Sequence, residues 1–116
     1  MKINCFMPIG LMLLIVFSCA NDKTPIKNKY KKRSPMADYF LMEGNKFLKK
    51  HDFKRALALA DSAELYAIKK DDVYFFKGRI YSELGRFSKA DQAYNNTINI
   101  NPDYIGAWNN LGNNAF

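Results

Sequence analysis

Apolar residues recur at helical spacing from residue 37 to the end of the chain, and a few turn residues interrupt them. The pairs His51-Asp52 and Gly85-Arg86 mark two interruptions. Pro102 marks a third, because proline cannot continue a helix and biases the residue before it away from helical geometry. The pattern predicts an all-α fold whose helices cover residues 37–50, 53–67, 71–84, 87–100 and 105–115.

The helical region repeats itself at one fixed offset, which is the 34 residues from Gly44 to Gly78. The matching residues share aromatic, glycine or small character, and they pair as Phe40 with Tyr74, Gly44 with Gly78, Phe47 with Tyr81, Phe53 with Phe87, Ala56 with Ala90 and Ala63 with Thr97. Trp108 and Gly112 continue the series at the same offset. A constant period of this length indicates a repeat architecture.

These positions resemble the signature of the tetratricopeptide repeat (TPR), a helix–turn–helix unit of 34 residues. The signature residues are Phe40, Gly44, Phe47 and Ala56 in the first unit, Tyr74, Gly78, Tyr81, Ala90, Tyr94 and Pro102 in the second, and Trp108 and Gly112 in the third. Lys77 departs from the leucine that the family prefers, Thr97 departs from alanine, and Ile68 stands in place of the terminal proline. The resemblance implies an α-solenoid of about two and a half repeats, over residues 37–70, 71–104 and 105–116.

Small residues at fixed positions suggest how the helices pack. Gly78 and Ala90 leave room for the partner backbone within a hairpin, and aromatic side chains fill the remaining space, namely Tyr74, Tyr81 and Phe87. Ala56, Ala60 and Ala63 share one helix face by their spacing, so we expect them to seat the first helix of the second unit.

By its resemblance to the family, the chain has a concave surface that binds an extended peptide or a helix of another protein. The outward residues expected to line this surface are Leu41, Asn45, Leu48, Lys49, Phe75, Arg79, Ser82, Asn109 and Asn113. Some family members grip a C-terminal carboxylate with lysine and asparagine at set positions, of which only Asn45 matches here. The other four positions hold Leu41, Phe76, Gly106 and Asn110, so the sequence does not favour that ligand.

Residues that carry chemistry are scarce. His51 is the single histidine and falls in a predicted turn, without a second histidine or a free cysteine to complete a metal site. Asp71 and Asp72 are adjacent at a helix start, where they are better explained as caps than as an acid pair. We expect a protein that is not an enzyme and has no cofactor, no metal and no small-molecule substrate.

The first eighteen residues have the features of an export signal. Lys2 supplies a positive charge, and the apolar run over residues 7–17 is too short to cross a membrane as a helix, which takes about 20 residues. The stretch that ends at Cys19 resembles the bacterial lipoprotein box, in which the cysteine is acylated and becomes the first residue of the mature chain. The resemblance implies a lipid-anchored, exported bacterial protein. An ordinary cleaved signal and an uncleaved anchor are the alternatives.

Residues 19–36 form a basic tether between the expected lipid and the helices. Lys23 to Arg33 holds six of the eighteen basic residues, whereas residues 37–116 are nearly balanced. The tether is either a solvated spacer or an adhesive for anionic head groups, at about 1 kcal/mol per basic residue. Nucleic acid is not an expected partner, because a single tyrosine, Tyr30, offers no stacking surface.

The sequence thus favours a membrane-anchored TPR-type interaction module of the bacterial cell envelope, with another protein or peptide as its partner. The alternative is the N-terminal part of a longer envelope protein whose functional domain, enzymatic or not, lies beyond residue 116. The last helix leaves this choice open. Its asparagines could form a polar cap, or a missing helix could cover Trp108 and Leu111.

Overall fold

The computed structural model describes residues 33–114, which form five α-helices. The helices are α1 (Pro35–Lys49), α2 (Phe53–Tyr66), α3 (Asp71–Glu83), α4 (Phe87–Ile100) and α5 (Ile105–Asn114). These residues contain no strand, and the predicted all-α repeat solenoid is confirmed, with each helix within two residues of its expected bounds. The expected signal and Cys19 lie outside the described residues, as does most of the tether.

The turns inside the two hairpins have the same backbone geometry. His51 has φ 60° and Gly85, which follows it by one repeat, has φ 71°, so both adopt the left-handed conformation that favours glycine. After each of them, an amide donates to the carbonyl five residues earlier, at 2.9 and 2.8 Å, which closes a Schellman motif. Asp52 then caps α2 by accepting from the Arg55 amide at 3.1 Å, whereas Arg86 gives α4 no side-chain cap.

The start of α3 differs from the sequence prediction. Its N-cap is Lys70, so Asp71 and Asp72 lie in the first turn and do not cap the helix. Negative charge is favourable there, because the helix dipole is positive at this end. Asp71 is buried, and its Oδ2 accepts a hydrogen bond from Asn101 Nδ2 at 3.2 Å, which ties the start of α3 to the end of α4.

Alanines on α2 form the seat for the second hairpin. Ala56, Ala60 and Ala63 are fully buried. Phe76 packs with the first two of them, and Val73 packs with the third. The small side chains therefore allow α3 to lie close against α2, which continues the array from one unit to the next.

The two hairpins fill the space above their matched glycines in different ways. A Cβ on Gly44 would lie 2.8 Å from Phe76 Cε1, on the first helix of the next hairpin. A Cβ on Gly78 would lie 2.5 Å from Tyr94 Cε1, on the second helix of the same hairpin. The residue that corresponds to Tyr94 in the first hairpin is Ala60, which leaves the space that Phe76 takes. Each glycine thus lies beneath one aromatic ring, but the ring comes from a different helix.

The surroundings of Lys77 explain why this position does not hold the leucine of the TPR signature. Lys77 is mostly buried between α2 and α3, and its Nζ lies 2.7 Å from Asp61 Oδ1 and 2.6 Å from Glu64 Oε2. Burial lowers the pKa of Lys77, but the hydrogen bonds to the two carboxylates raise it by more. One repeat later, Leu111 packs on α4 as the family pattern expects. An ion pair therefore replaces an apolar contact at the first junction.

Four residues lie differently from the sequence prediction. Leu48 is buried at 6% exposure because it faces Ala56 in the core, so it does not line an outward surface. Phe87 and Trp108 are 52% and 54% exposed, since the ring of Phe87 stands at the first position of α4 and no described helix covers Trp108. Gly112 is exposed, and a Cβ added to it would have no neighbouring atom within 4 Å.

Candidate protein-binding surface

The candidate surface lies on α1, α3 and α5, the first helices of the three units. Asn45, Arg79 and Asn113 occupy the same position in successive units and form one row across these helices. Arg79 Nη1 donates to Asn45 Oδ1 at 3.4 Å, which links α1 to α3. Lys49 and Asn109 are exposed on the same helices. We use the name polar row for Asn45, Arg79 and Asn113 together with the neighbouring Ser82.

A shallow cavity of about 280 Å³ opens beside the polar row. Its lining is polar, with one aromatic hydroxyl, and consists of Arg79, Ser82, Glu83, Tyr94, Asn110, Asn113 and Asn114. Both hydrogen-bond donors and acceptors converge there, together with one positive and one negative side chain. Such a lining matches the alternating N–H and C=O groups of a peptide main chain.

The hydroxyl of Tyr94 forms hydrogen bonds with two of the side chains that line this cavity. The ring is 1% exposed, and the hydroxyl reaches Ser82 Oγ at 3.2 Å and accepts from Asn110 Nδ2 at 3.1 Å. Asn114 Nδ2 donates to Asp91 Oδ1 at 3.0 Å and lies 3.4 Å from Ser82 Oγ. These bonds hold side chains from α3, α4 and α5 in place, so the cavity is preorganised by the repeat junction.

Two of the expected surface residues also pack against other helices. Leu41 packs against the buried clusters of the first hairpin. Phe75 lies 4.8 Å from the ring of Tyr104, measured between centroids, and its Cζ would lie 3.0 Å from a Cβ on Gly106. Phe75 therefore joins α3 to α5, and only part of its ring is available to a partner.

Hydrogen bonds and ion pairs between charged residues hold the chain in place at the start of α1. Arg33 Nε donates to Asp38 Oδ2 at 2.9 Å, and Arg33 Nη1 lies 3.2 Å from Asp72 Oδ2. The hydrogen bond to Asp38 raises the pKa of Arg33. Tyr104 donates to Asp72 Oδ1 at 2.9 Å, and burial together with this bond raises the pKa of the Tyr104 hydroxyl. Arg33, the last basic residue of the tether, is thereby fixed to both hairpins.

Residues 33–114 contain no group of three or more histidine, cysteine, aspartate or glutamate side chains that could hold a metal ion. His51 is exposed in its turn and touches the ring of Phe53, at 5.8 Å between centroids. In the same described part of the chain, none of the helices has the length and apolar character needed to cross a membrane.

Four residues of the cavity are not among the binding residues predicted from the sequence. The pattern assigns Tyr94 to packing alone, although its hydroxyl is the centre of the hydrogen-bond network. It does not assign Glu83, Asn110 or Asn114 to the binding surface. The 34-residue register could have drawn attention to Asn114, because it corresponds to the buried Ile80, and a polar residue at a core position requires a partner.

Comparison with known proteins supports the repeat assignment. The model of the TPR repeat family matches residues 78–113. A TPR repeat-containing protein of Methanocaldococcus jannaschii is 39% identical over 67 residues, an alignment that covers 50% of this chain and 20% of the relative. The chain thus spans about a fifth of that relative's length. No solved structure matches the chain. TPR repeats act as protein–protein interaction modules, so the matched region indicates that role.

Proposed function

We propose that the chain is a non-enzymatic, membrane-anchored module of the bacterial cell envelope that binds a segment of another protein along the polar row. The observation that carries this proposal is the preorganised cavity beside Arg79, Ser82 and Asn113, where donors and acceptors from three helices converge. A main chain laid across it would add hydrogen bonds to Arg79, Asn113 and the side chains that the network already holds in place, without a conformational change in the repeats.

The binding half of the proposal is tested by crosslinking. A photoreactive residue at position 113 should capture one partner in cells, and mass spectrometry should locate the crosslink within a short segment of that partner. Purified partner should then bind the chain, and Arg79→Ala should weaken this binding about tenfold, as expected when a charge-assisted contact of roughly 1.5 kcal/mol is lost.

Arg86→Ala is the matched control, because Arg86 is an exposed arginine in the turn before α4 and lies outside the polar row. Phe75→Ala is a poor test, since Phe75 also packs between α3 and α5. Equal affinities for the partner after Arg79→Ala and Arg86→Ala would remove the polar row from the proposal.

The anchoring half rests on the first nineteen residues, in which a short apolar run ends at a lipoprotein-like cysteine. Cys19→Ala should release the protein from the membrane fraction and abolish the mass increase that acylation gives. Cys5→Ala is the control, because Cys5 lies in the segment that processing removes. Membrane retention of the Cys19→Ala protein at its unprocessed mass would instead identify an uncleaved anchor.

A second candidate is the N-terminal part of a longer envelope TPR protein. Gly112 is exposed at the position where Tyr94 of α4 covers Gly78, and Trp108 is exposed at the position where Tyr74 is half-buried, so another helix fits there. The intact mass of the protein from cells decides between the candidates, as does the reading frame after residue 116.

A further inference from the structure

The outward face of α1 carries exposed apolar side chains at positions that are buried one repeat later. Met36, Tyr39 and Met42 are 49%, 52% and 53% exposed, and an apolar cavity of about 360 Å³ lies at Pro35, Met36 and Tyr39. One repeat later, the residues that correspond to Tyr39 and Met42 are Val73 and Phe76, and both are buried. The outer face of a terminal repeat is usually polar, so this face requires a partner.

The second half of the same face argues against another helix as that partner. Lys46 corresponds to Ile80, which is fully buried, and its Nζ lies 2.6 Å from Glu43 Oε1. A helix seated along α1 as α2 is seated on α3 would bury this ion pair with one carboxylate from its own helix, whereas Lys77 at the first junction has two carboxylates on the facing helix, so burial is less favourable for Lys46. Lys50 follows on the same face, because residues 39, 42, 46 and 50 recur at helical spacing.

An apolar half next to a lysine-bearing half suits a lipid surface better than a protein. Tyrosine and methionine side chains can enter the boundary between head groups and acyl chains, while lysines reach anionic head groups with their long stems. The sequence just before α1 adds charge of the same sign, over Lys27 to Arg33. The fifteen residues from Cys19 to Arg33 are joined by fourteen Cα–Cα steps, so Arg33 can lie at most about 50 Å from a lipid on Cys19.

We propose that α1 lies on an anionic membrane surface, with Met36, Tyr39 and Met42 in the interfacial layer and Lys46 and Lys50 at the head groups. This inference rests on the proposed membrane anchoring and gives it an orientation. The polar row then extends away from the lipid-contacting helix through α3 and α5, where a protein segment can reach it.

The test places a tryptophan at the lipid-facing position of the full chain. Trp108 is the single tryptophan and is 54% exposed, close to the 52% of Tyr39. A Tyr39→Trp, Trp108→Phe protein is compared with the unaltered chain on vesicles of phosphatidylglycerol and phosphatidylcholine whose acyl chains carry bromine. We expect vesicles to quench and blue-shift the emission from position 39 and to leave the emission of Trp108 unchanged.

Charge neutralisation supplies the matched variants. Lys46→Gln with Lys50→Gln should lower the ratio of docked to undocked α1 by about fivefold for each charge removed. Lys54→Gln with Lys69→Gln removes two exposed lysines from outside this face and should leave the ratio unchanged. Circular dichroism confirms that both double variants keep their helices. An equal loss of quenching in the two double variants would overturn the assignment to α1.

The outcomes separate the inference from the anchoring on which it rests. A chain that sediments with vesicles while position 39 stays unquenched overturns the inference and leaves the anchoring in place. A chain that stays in the supernatant overturns both. Emission from position 39 that shifts to the blue without vesicles, and does so as protein concentration rises, would show that a second copy covers α1, which also overturns the inference.

Discussion

The tight contact between Gly78 and Tyr94 makes a quantitative prediction for Gly78→Ala. The added Cβ would lie 2.5, 2.7 and 2.9 Å from three atoms of the Tyr94 ring. That ring is 1% exposed, and its hydroxyl is bonded to Ser82 and Asn110, so it cannot swing away freely. Overpacking of this kind costs about 1–3 kcal/mol. The gain in helix propensity from glycine to alanine returns about 1 kcal/mol.

Gly112→Ala isolates the steric contribution. Gly112 stands one repeat after Gly78 inside α5, and an added Cβ would meet no atom within 4 Å, so its alanine gains propensity without a clash. Because the propensity gain is similar at both sites, the two variants should differ in free energy of unfolding by about 2 kcal/mol, the overpacking cost. Gly44→Ala should fall between them, because its Cβ would lie 2.8 Å from Phe76 Cε1.

Thermal and urea unfolding, followed by circular dichroism at 222 nm, measure this difference. For a domain of this size, 1 kcal/mol corresponds to roughly 4–8 °C, so the Gly78→Ala and Gly112→Ala proteins should melt about 8–16 °C apart. Gly78→Ala combined with Tyr94→Leu should lose less stability than the two single changes added together, because the clash is then absent. Equal melting temperatures for the two alanine variants would refute the proposed contact.

Three further predictions concern turns, caps and pH. His51→Gly should stabilise the fold by about 1 kcal/mol in urea unfolding, because His51 has φ 60°. Arg86→Asp should add about 1 kcal/mol in the same assay by capping α4 as Asp52 caps α2; no gain would contradict the cap. The hydrogen bond from Lys77 lowers the pKa of Glu64 below 4.5, so its contribution is complete above that pH and is lost as the pH falls through the folded pKa. Glu64→Gln should therefore make the decline in stability below pH 5 shallower.

Much of the fold could be predicted because the decisive signals are local. The turn at Gly85 requires a left-handed residue, and Pro102 cannot extend α4, so helix ends can be located in the sequence within two residues. The 34-residue register then indicates which positions meet in each unit. His51 shows the strength of the register, since it adopts the conformation of Gly85 without being glycine.

The rest depends on contacts between residues far apart in the sequence. Leu48 is predicted to face outward, but it is buried because it packs in a cluster with Ala56 of α2 and Phe76 of α3, both of which are distant in the sequence. The polar row could be predicted as a set of outward residues. The cavity could not, because Tyr94 and Asn110 meet across two helices.

The different origins of the rings above Gly44 and Gly78 have a consequence for how the array comes apart. The second hairpin closes over its own Tyr94, whereas the first is completed by Phe76 of its neighbour. In a nearest-neighbour description of repeat stability, the interface between the hairpins therefore contributes a larger share of the stability of the first hairpin than of the second. Amide protons of α1 and α2 should exchange with solvent sooner than those of α3 and α4. Tension applied through the N-terminal segment would unzip the first hairpin while the second stays folded.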